Sequence, residues 1–296
     1  MRREPDFIII GAMKCATSTL HEQLARQTGF FMTQPKEPNF FSDDDQFERG
    51  INWYCSLFEA AKPEVLCGES STHYTKLPTY PRTAERMRAH FARVKLVYVM
   101  RHPIDRLVSH YIHDWTDHRI KASIDLLVEQ NPELIQYGLY AMQIRPYLEV
   151  FGAESVLPVF FEGIAANPQQ ELERICAFLG YAGRPRWDHT LRPRNVSLER
   201  LRRSPLRDAL VNLPLLRTVR RQVVPKSFRE RVKRLWTMTE RPQLSRKQRE
   251  QLAAVFDEDL ATLGTWLGVE LSCTNFVRVA TNGPHEWVQP PEANHL

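Results

Sequence analysis

No run of apolar residues in this sequence approaches the roughly 20 that a bilayer-crossing helix needs, which argues against a membrane span. The first apolar run begins at Phe7, too early for a basic leader and hydrophobic core to precede it, so no secretory signal is expected and a cytoplasmic location is. The five cysteines, Cys15, Cys55, Cys67, Cys176 and Cys273, are odd in number and include no Cys-x-x-Cys pair. Neither a disulfide framework nor a zinc site is indicated, and reduced, mostly buried thiols are expected. Internal repeats are missing as well. What is present is 296 residues, 43% of them hydrophobic, enough to fill one large core, and a single domain over residues 1–296 is the expectation.

Phe7-Ile8-Ile9-Ile10 sets four apolar residues in a row, three of them β-branched, as in a strand buried on both faces of a parallel sheet. Gly11 follows to permit an unusual backbone angle, Lys14 brings charge, and Thr17-Ser18-Thr19 open a helix whose free N–H groups and dipole favour an anion. That reads as a phosphate-binding turn, although a tight strand-to-helix turn with incidental hydroxyls has the same composition. A nucleoside-triphosphate P-loop would carry a second glycine where Ala16 stands and a lysine where Thr17 stands; Lys14 comes three residues too early. The pattern Gly-x-x-Lys-x-x-Thr-x-Thr-Leu resembles instead the 5′-phosphosulfate loop of sulfotransferases, which use 3′-phosphoadenylyl sulfate (PAPS) as donor.

A second strong strand, Val94 to Met100, delivers Arg101-His102-Pro103-Ile104-Asp105-Arg106-Leu107-Val108-Ser109-His110-Tyr111. Pro103 suits the first turn of a helix and Asp105 its positive end, leaving Arg101 at the junction with its guanidinium fork free to grip a phosphate; Ser109 adds a hydroxyl further along. Pairing of Arg101 with Asp105 is the plainer alternative. The whole run resembles the 3′-phosphate site of the sulfotransferases. Two phosphate-binding turns about 90 residues apart suit a 3′,5′-bisphosphorylated adenosine rather than ATP.

Between them lies Lys36-Glu37-Pro38-Asn39-Phe40-Phe41, held out of helix by Pro35 and Pro38. Alone it also reads as a surface ion pair beside aromatic anchors. It resembles the Lys-Glu-x-x-Phe-Phe segment of the glycan-type sulfotransferases, whose glutamate is the catalytic base, and the chain is similar to a bacterial member of that group. A helix over 47–63 is expected, then a short strand ending at Glu69, with Ser70-Ser71-Thr72-His73-Tyr74 beyond its carboxyl end, where open α/β sheets bind ligands. The family often has a lysine after this glutamate; Ser70 departs from that. His73 is a second candidate base, or a hydrogen-bonded structural histidine.

Further elements are expected as a basic helix over 79–92, a helix near 122–130, one carrying Ile144, Tyr147, Leu148 and Phe151, a strand over 156–162, and a helix from Pro168 to Gly180. Residues 111–121 are expected at the mouth of the acceptor site. Residues 199–236 hold twelve Lys/Arg against three acids, a net +9 that exceeds the +5 of the whole chain, and read as a lid or as a surface for an anionic acceptor, membrane or nucleic acid. Leu252, Val255, Phe256, Leu260, Leu263 and Leu267 fall at helical spacing, and a loosely held tail is expected over 283–296.

The resemblance implies a P-loop-like three-layer α/β fold with a mainly parallel sheet of about five strands and helices on both faces. It implies PAPS as sulfonate donor, with the bisphosphate PAP as product, a small-molecule, lipid or glycan hydroxyl as acceptor, and no metal. Lys14 would meet the sulfonate and bridging oxygen; the loop Lys14-Cys15-Ala16-Thr17-Ser18-Thr19 would hold the 5′-phosphate, Arg101 and Ser109 the 3′-phosphate, and Glu37 would take the acceptor proton. The other readings are a P-loop kinase or ATPase, which requires the lysine this loop lacks, and a nucleic-acid or membrane binder acting through 199–236.

Overall fold

The computed structural model describes residues 2–117, 122–191 and 241–292. Five strands, β1 (Phe7–Gly11), β2 (Phe30–Met32), β3 (Leu66–Ser70), β4 (Lys95–Met100) and β5 (Val156–Phe160), form one sheet in the order β2-β3-β1-β4-β5, every neighbouring pair parallel. β1 is buried along its whole length, as an unbroken apolar run in a parallel sheet requires. β2 is the strand that the sequence pattern did not assign: three residues are too few to show a period, and their pairing with Leu66–Gly68 makes them an edge.

The helices in chain order are α1 (Thr17–Ala25), α2 (Asp44–Phe47), α3 (Gly50–Ser56), α4 (Thr83–His90), α5 (Pro103–Thr116), α6 (Ile124–Gln130), α7 (Glu133–Gln136), α8 (Tyr140–Phe151), α9 (Phe161–Ala166), α10 (Pro168–Leu179), α11 (Arg246–Leu267) and α12 (Phe276–Thr281). From β1 the chain crosses through α1 to β2 on one side; from β4 it crosses through α5–α8 to β5 on the other. Right-handed crossovers running in opposite directions place helices on opposite faces and open a crevice between the carboxyl ends of β1 and β4. Both predicted phosphate turns leave the sheet there.

Several expectations need correction. The helix expected over 47–63 is α2 and α3 with a break at Gly50, whose φ of 79° is left-handed, and it ends at Ser56. The basic helix starts only at Thr83, after Pro78 and Pro81. Val255 is 44% exposed although Leu252, Phe256, Leu260, Leu263 and Leu267 of the same helix are buried, so it lies off the packing stripe. The tail is tied down over part of its length: Trp287 Nε1 donates to Val156 O at 2.7 Å, and the amides of Val288 and Gln289 donate to Trp266 O. The basic segment 199–236 lies outside the described residues. All five cysteines are free thiols, four of them buried.

Candidate active site

β1 ends in a register shift, Ile9 pairing with Val97 but Gly11 with Tyr98. Gly11 has φ 151°, and a Cβ there would fall 1.9 Å from Thr75 Oγ1, which itself donates to Ile10 O at 3.0 Å. Only glycine fits. Lys14 (φ 71°) and Ala16 (φ 65°, ψ 20°) are both left-handed, and alternating handedness turns successive N–H groups into one concavity suited to an anion. An alanine in that region costs roughly 1–2 kcal/mol of backbone strain, which the surrounding turn must hold.

The first intrahelical bond of α1 runs from Leu20 N to Ala16 O, so the N–H groups of Thr17, Ser18 and Thr19 have no helical acceptor. No side chain caps them and no acid lies in the first turn, so the positive end of the helix faces the crevice uncompensated. Cys15 contributes shape rather than a donor. Its N–H already reaches Ala12 O at 3.2 Å, and burial pushes its thiol up to about 12.

The second turn meets the first. Arg101 Nη1 lies 3.4 Å from Lys14 O, its guanidinium carbon sits 4.6 Å from the centroid of the Phe161 ring, and its buried Nε has no partner. Asp105 pairs with Arg241 at 2.5 Å, so the plainer pairing with Arg101 does not form. Tyr140 fixes the junction, its hydroxyl donating to Arg101 O and accepting from Arg101 N. Glu162 takes the His102 N–H at 3.0 Å, and burial raises its carboxyl pKa. Ser109 is buried on α5 beside His110, whose proton affinity burial lowers first, helped by the charges of Arg106, Lys76 and Lys14.

Glu37 sits on a loop laid against the carboxyl end of β3: Ser70 N donates to Lys36 O at 3.2 Å, Asn39 N to Ser71 Oγ at 3.0 Å, and Phe40 and Phe41 are fully buried. Its carboxylate accepts Lys36 Nζ at 2.6 Å and Thr72 Oγ1 at 3.0 Å. Burial is the largest single influence and pushes its pKa up, yet the Lys36 charge and the bonds from Lys36 and Thr72 together outweigh it, so the group is held below the ordinary carboxylate range. Burial therefore does not decide the sign of the shift. Glu37 is ionised at neutral pH and ready to accept a proton. His73 Nδ1 lies 2.8 Å from Asp43 Oδ1, and its ring stacks on Tyr80 at 4.9 Å; both of these contacts hold it in place.

The sequence did not show the roles of Tyr140 and Asp43, the bond of Thr72 to Glu37, or the pair formed by His21 Nδ1 and Ser70 Oγ at 2.9 Å. Each of these bonds joins residues 30 or more apart in the chain. A wide cleft lined by Arg3, Arg88, Lys95 and Glu154 opens at the opposite, amino end of the strands and holds none of these groups.

Comparison with known proteins bears on the family and the fold. The mouse heparan sulfate glucosamine 3-O-sulfotransferase 3B1 is 32% identical over 188 residues, 60% of this chain and 46% of that protein. The human bifunctional heparan sulfate N-deacetylase/N-sulfotransferase 2 is 26% identical over 212 residues, 64% of this chain and 23% of that protein. The chain thus spans about half the length of the first relative and about a quarter of the second. A sulfotransferase from Alicyclobacillus acidocaldarius superposes with a TM-score of 0.62 at 26% identity, over 90% of this chain and 97% of that one. The sulfotransferase domain family itself matches residues 4–264, across both phosphate turns and the Glu37 loop, and the chain belongs to that family.

Proposed function

We propose that this protein moves the sulfonate group of PAPS to an acceptor hydroxyl. The observation that carries the reading is the contact of Arg101 with Lys14 O, which sets two anion-binding turns side by side at the ends of adjacent strands. In this scheme the free amides of Thr17, Ser18 and Thr19 hold the 5′-phosphate, and Arg101 with Ser109 holds the 3′-phosphate. The Lys14 ammonium neutralises charge developing on the bridging oxygen, and Glu37 takes the acceptor proton as the hydroxyl attacks in line. Thr72 and Lys36 orient the Glu37 carboxylate. No metal ion is required.

A hydroxyl on a glycan is the acceptor class that the heparan sulfate relatives support; small-molecule and lipid hydroxyls share the same chemistry. Five free thiols support a reducing, cytoplasmic setting, and the likeness to the Alicyclobacillus protein supports a bacterial source. Incubating cell extracts with PAPS labelled at sulfur and identifying the labelled product tests the reading. Label on a hydroxyl compound, lost in Lys14→Ala, is the expected result; transfer of the γ-phosphate of ATP without any sulfur transfer would contradict it.

A further inference from the structure

Lys76 follows the turn Thr72–Thr75, and its position is set by an unusual backbone clamp. The fully buried Gln143 accepts the Leu77 N–H at 2.7 Å and donates to Leu77 O and Gln136 O, each at 2.9 Å, while Tyr80 N donates to Lys76 O at 3.2 Å. The ammonium is thereby carried over the ring of Tyr137, 5.7 Å from its centroid. Among the described residues no carboxylate lies within ion-pair distance of it. Charged groups face it from each neighbouring element: Glu37 and Asp43 from the catalytic loop, Asp114 and Arg106 from α5. Lys76 and Lys14 both act on His110 through their charge.

A half-buried ammonium with no carboxylate in ion-pair contact is incompletely compensated: burial lowers its pKa to about 8, outweighing Glu37, Asp114 and Asp43, which raise it from farther off. An incoming oxyanion would supply the missing charge. We infer that Lys76 is the acceptor-side cation of this site, holding a carboxylate or sulfate group of the acceptor next to the hydroxyl that Glu37 deprotonates. Lys76 is then a specificity residue: it selects acceptors that carry an anionic group close to the reacting hydroxyl, and it leaves the donor alone. The inference rests on the transferase reading above.

The test is calorimetric titration of the PAP-bound protein with two probes of like shape, phenyl β-D-glucuronide, which carries a carboxylate, and phenyl β-D-glucoside, which does not. The unaltered protein should prefer the glucuronide by about 10-fold, the worth of one charge-assisted contact. Lys76→Met should abolish that preference, Lys76→Arg should restore part of it, and PAP affinity should stay within about twofold in both, which also reports that they fold. No glucuronide preference in the unaltered protein, or a preference kept by Lys76→Met, overturns the inference while the transferase reading stands. Failure of the unaltered protein to bind PAP overturns both.

Discussion

Arg101 Nη1 reaches the carbonyl oxygen of Lys14 at 3.4 Å, joining the turn after β1 to the turn after β4 across 87 residues of chain. Its Nε is buried and unpartnered, and Asp105, the near acid, is held by Arg241. A guanidinium in that state is a poor stabiliser of the fold and a good ligand for phosphate. Arg101→Ala should weaken PAP binding by about 1.5–3 kcal/mol, or more than tenfold, while Asp105→Ala changes it little. Titration calorimetry decides; equal effects would assign Arg101 a structural role.

Lys14 stands three residues before the position of a kinase lysine, and in the proposed scheme its charge meets the reacting end of the donor. Lys14→Ala should lower kcat by about 10²-fold or more and leave PAP affinity comparatively intact. Parallel loss of both would make Lys14 a binding residue only.

Glu37 and His73 can be ranked by their partners. Glu37→Gln keeps the bonds from Lys36 or Thr72 sterically possible and removes the proton acceptor, so kcat should fall ~10²–10⁴-fold with donor binding retained. His73→Asn keeps a hydrogen bond to Asp43 and should cost far less. Because Glu37 is held below the ordinary carboxylate range, the acid limb of the rate profile should lie below the pH at which an unperturbed glutamate titrates. Rates measured with one acceptor at saturating PAPS check both; the reverse ranking would move the role to His73.

β1 and β4 were legible because runs of β-branched apolar residues bounded by turn residues have few other uses, and the spacing of Gly11, Lys14 and Thr17 resembles that of the sulfotransferase turn. The split at Gly50 was not legible, since Phe47 before it and Trp53, Tyr54 and Leu57 after it fall at helical spacing. At Glu37 the residues were identified but the sign of the pKa shift was not. It depends on the Lys36 ammonium folding back onto its neighbour, a rotamer that composition does not set. Tyr140 and Gln143 look like ordinary helix residues in sequence, and only the packing of α8 shows that they clamp Arg101 and Leu77.

Glu69 offers a test of the fold beneath the site. It is fully buried, with donors in Tyr54 and Ser71, and burial pushes its pKa up to about 8 from an ordinary 4.5. The folded state then keeps a proton that the unfolded chain releases, so this stabilisation is present below about pH 4.5 and is lost as pH rises through 8. Asp259, raised to about 6, and the lowered histidines act mainly below pH 6.5, and Lys76 acts above 8. Between pH 6.5 and 8 unfolding free energy should therefore fall, by up to ~2 kcal/mol, and Glu69→Gln should flatten that slope. Urea unfolding at the two pH values measures it; the same slope in both proteins would place the titration elsewhere.

The most direct measurement is calorimetric titration of the unaltered protein with adenosine 3′,5′-bisphosphate, 5′-AMP and ATP under one salt condition. Two anion-binding turns joined at Arg101 and Lys14 predict that the bisphosphate binds far more tightly than either competitor, by at least the tenfold or more that a second gripped phosphate is worth. ATP bound as tightly as the bisphosphate, or AMP equal to it, would contradict the account at its centre.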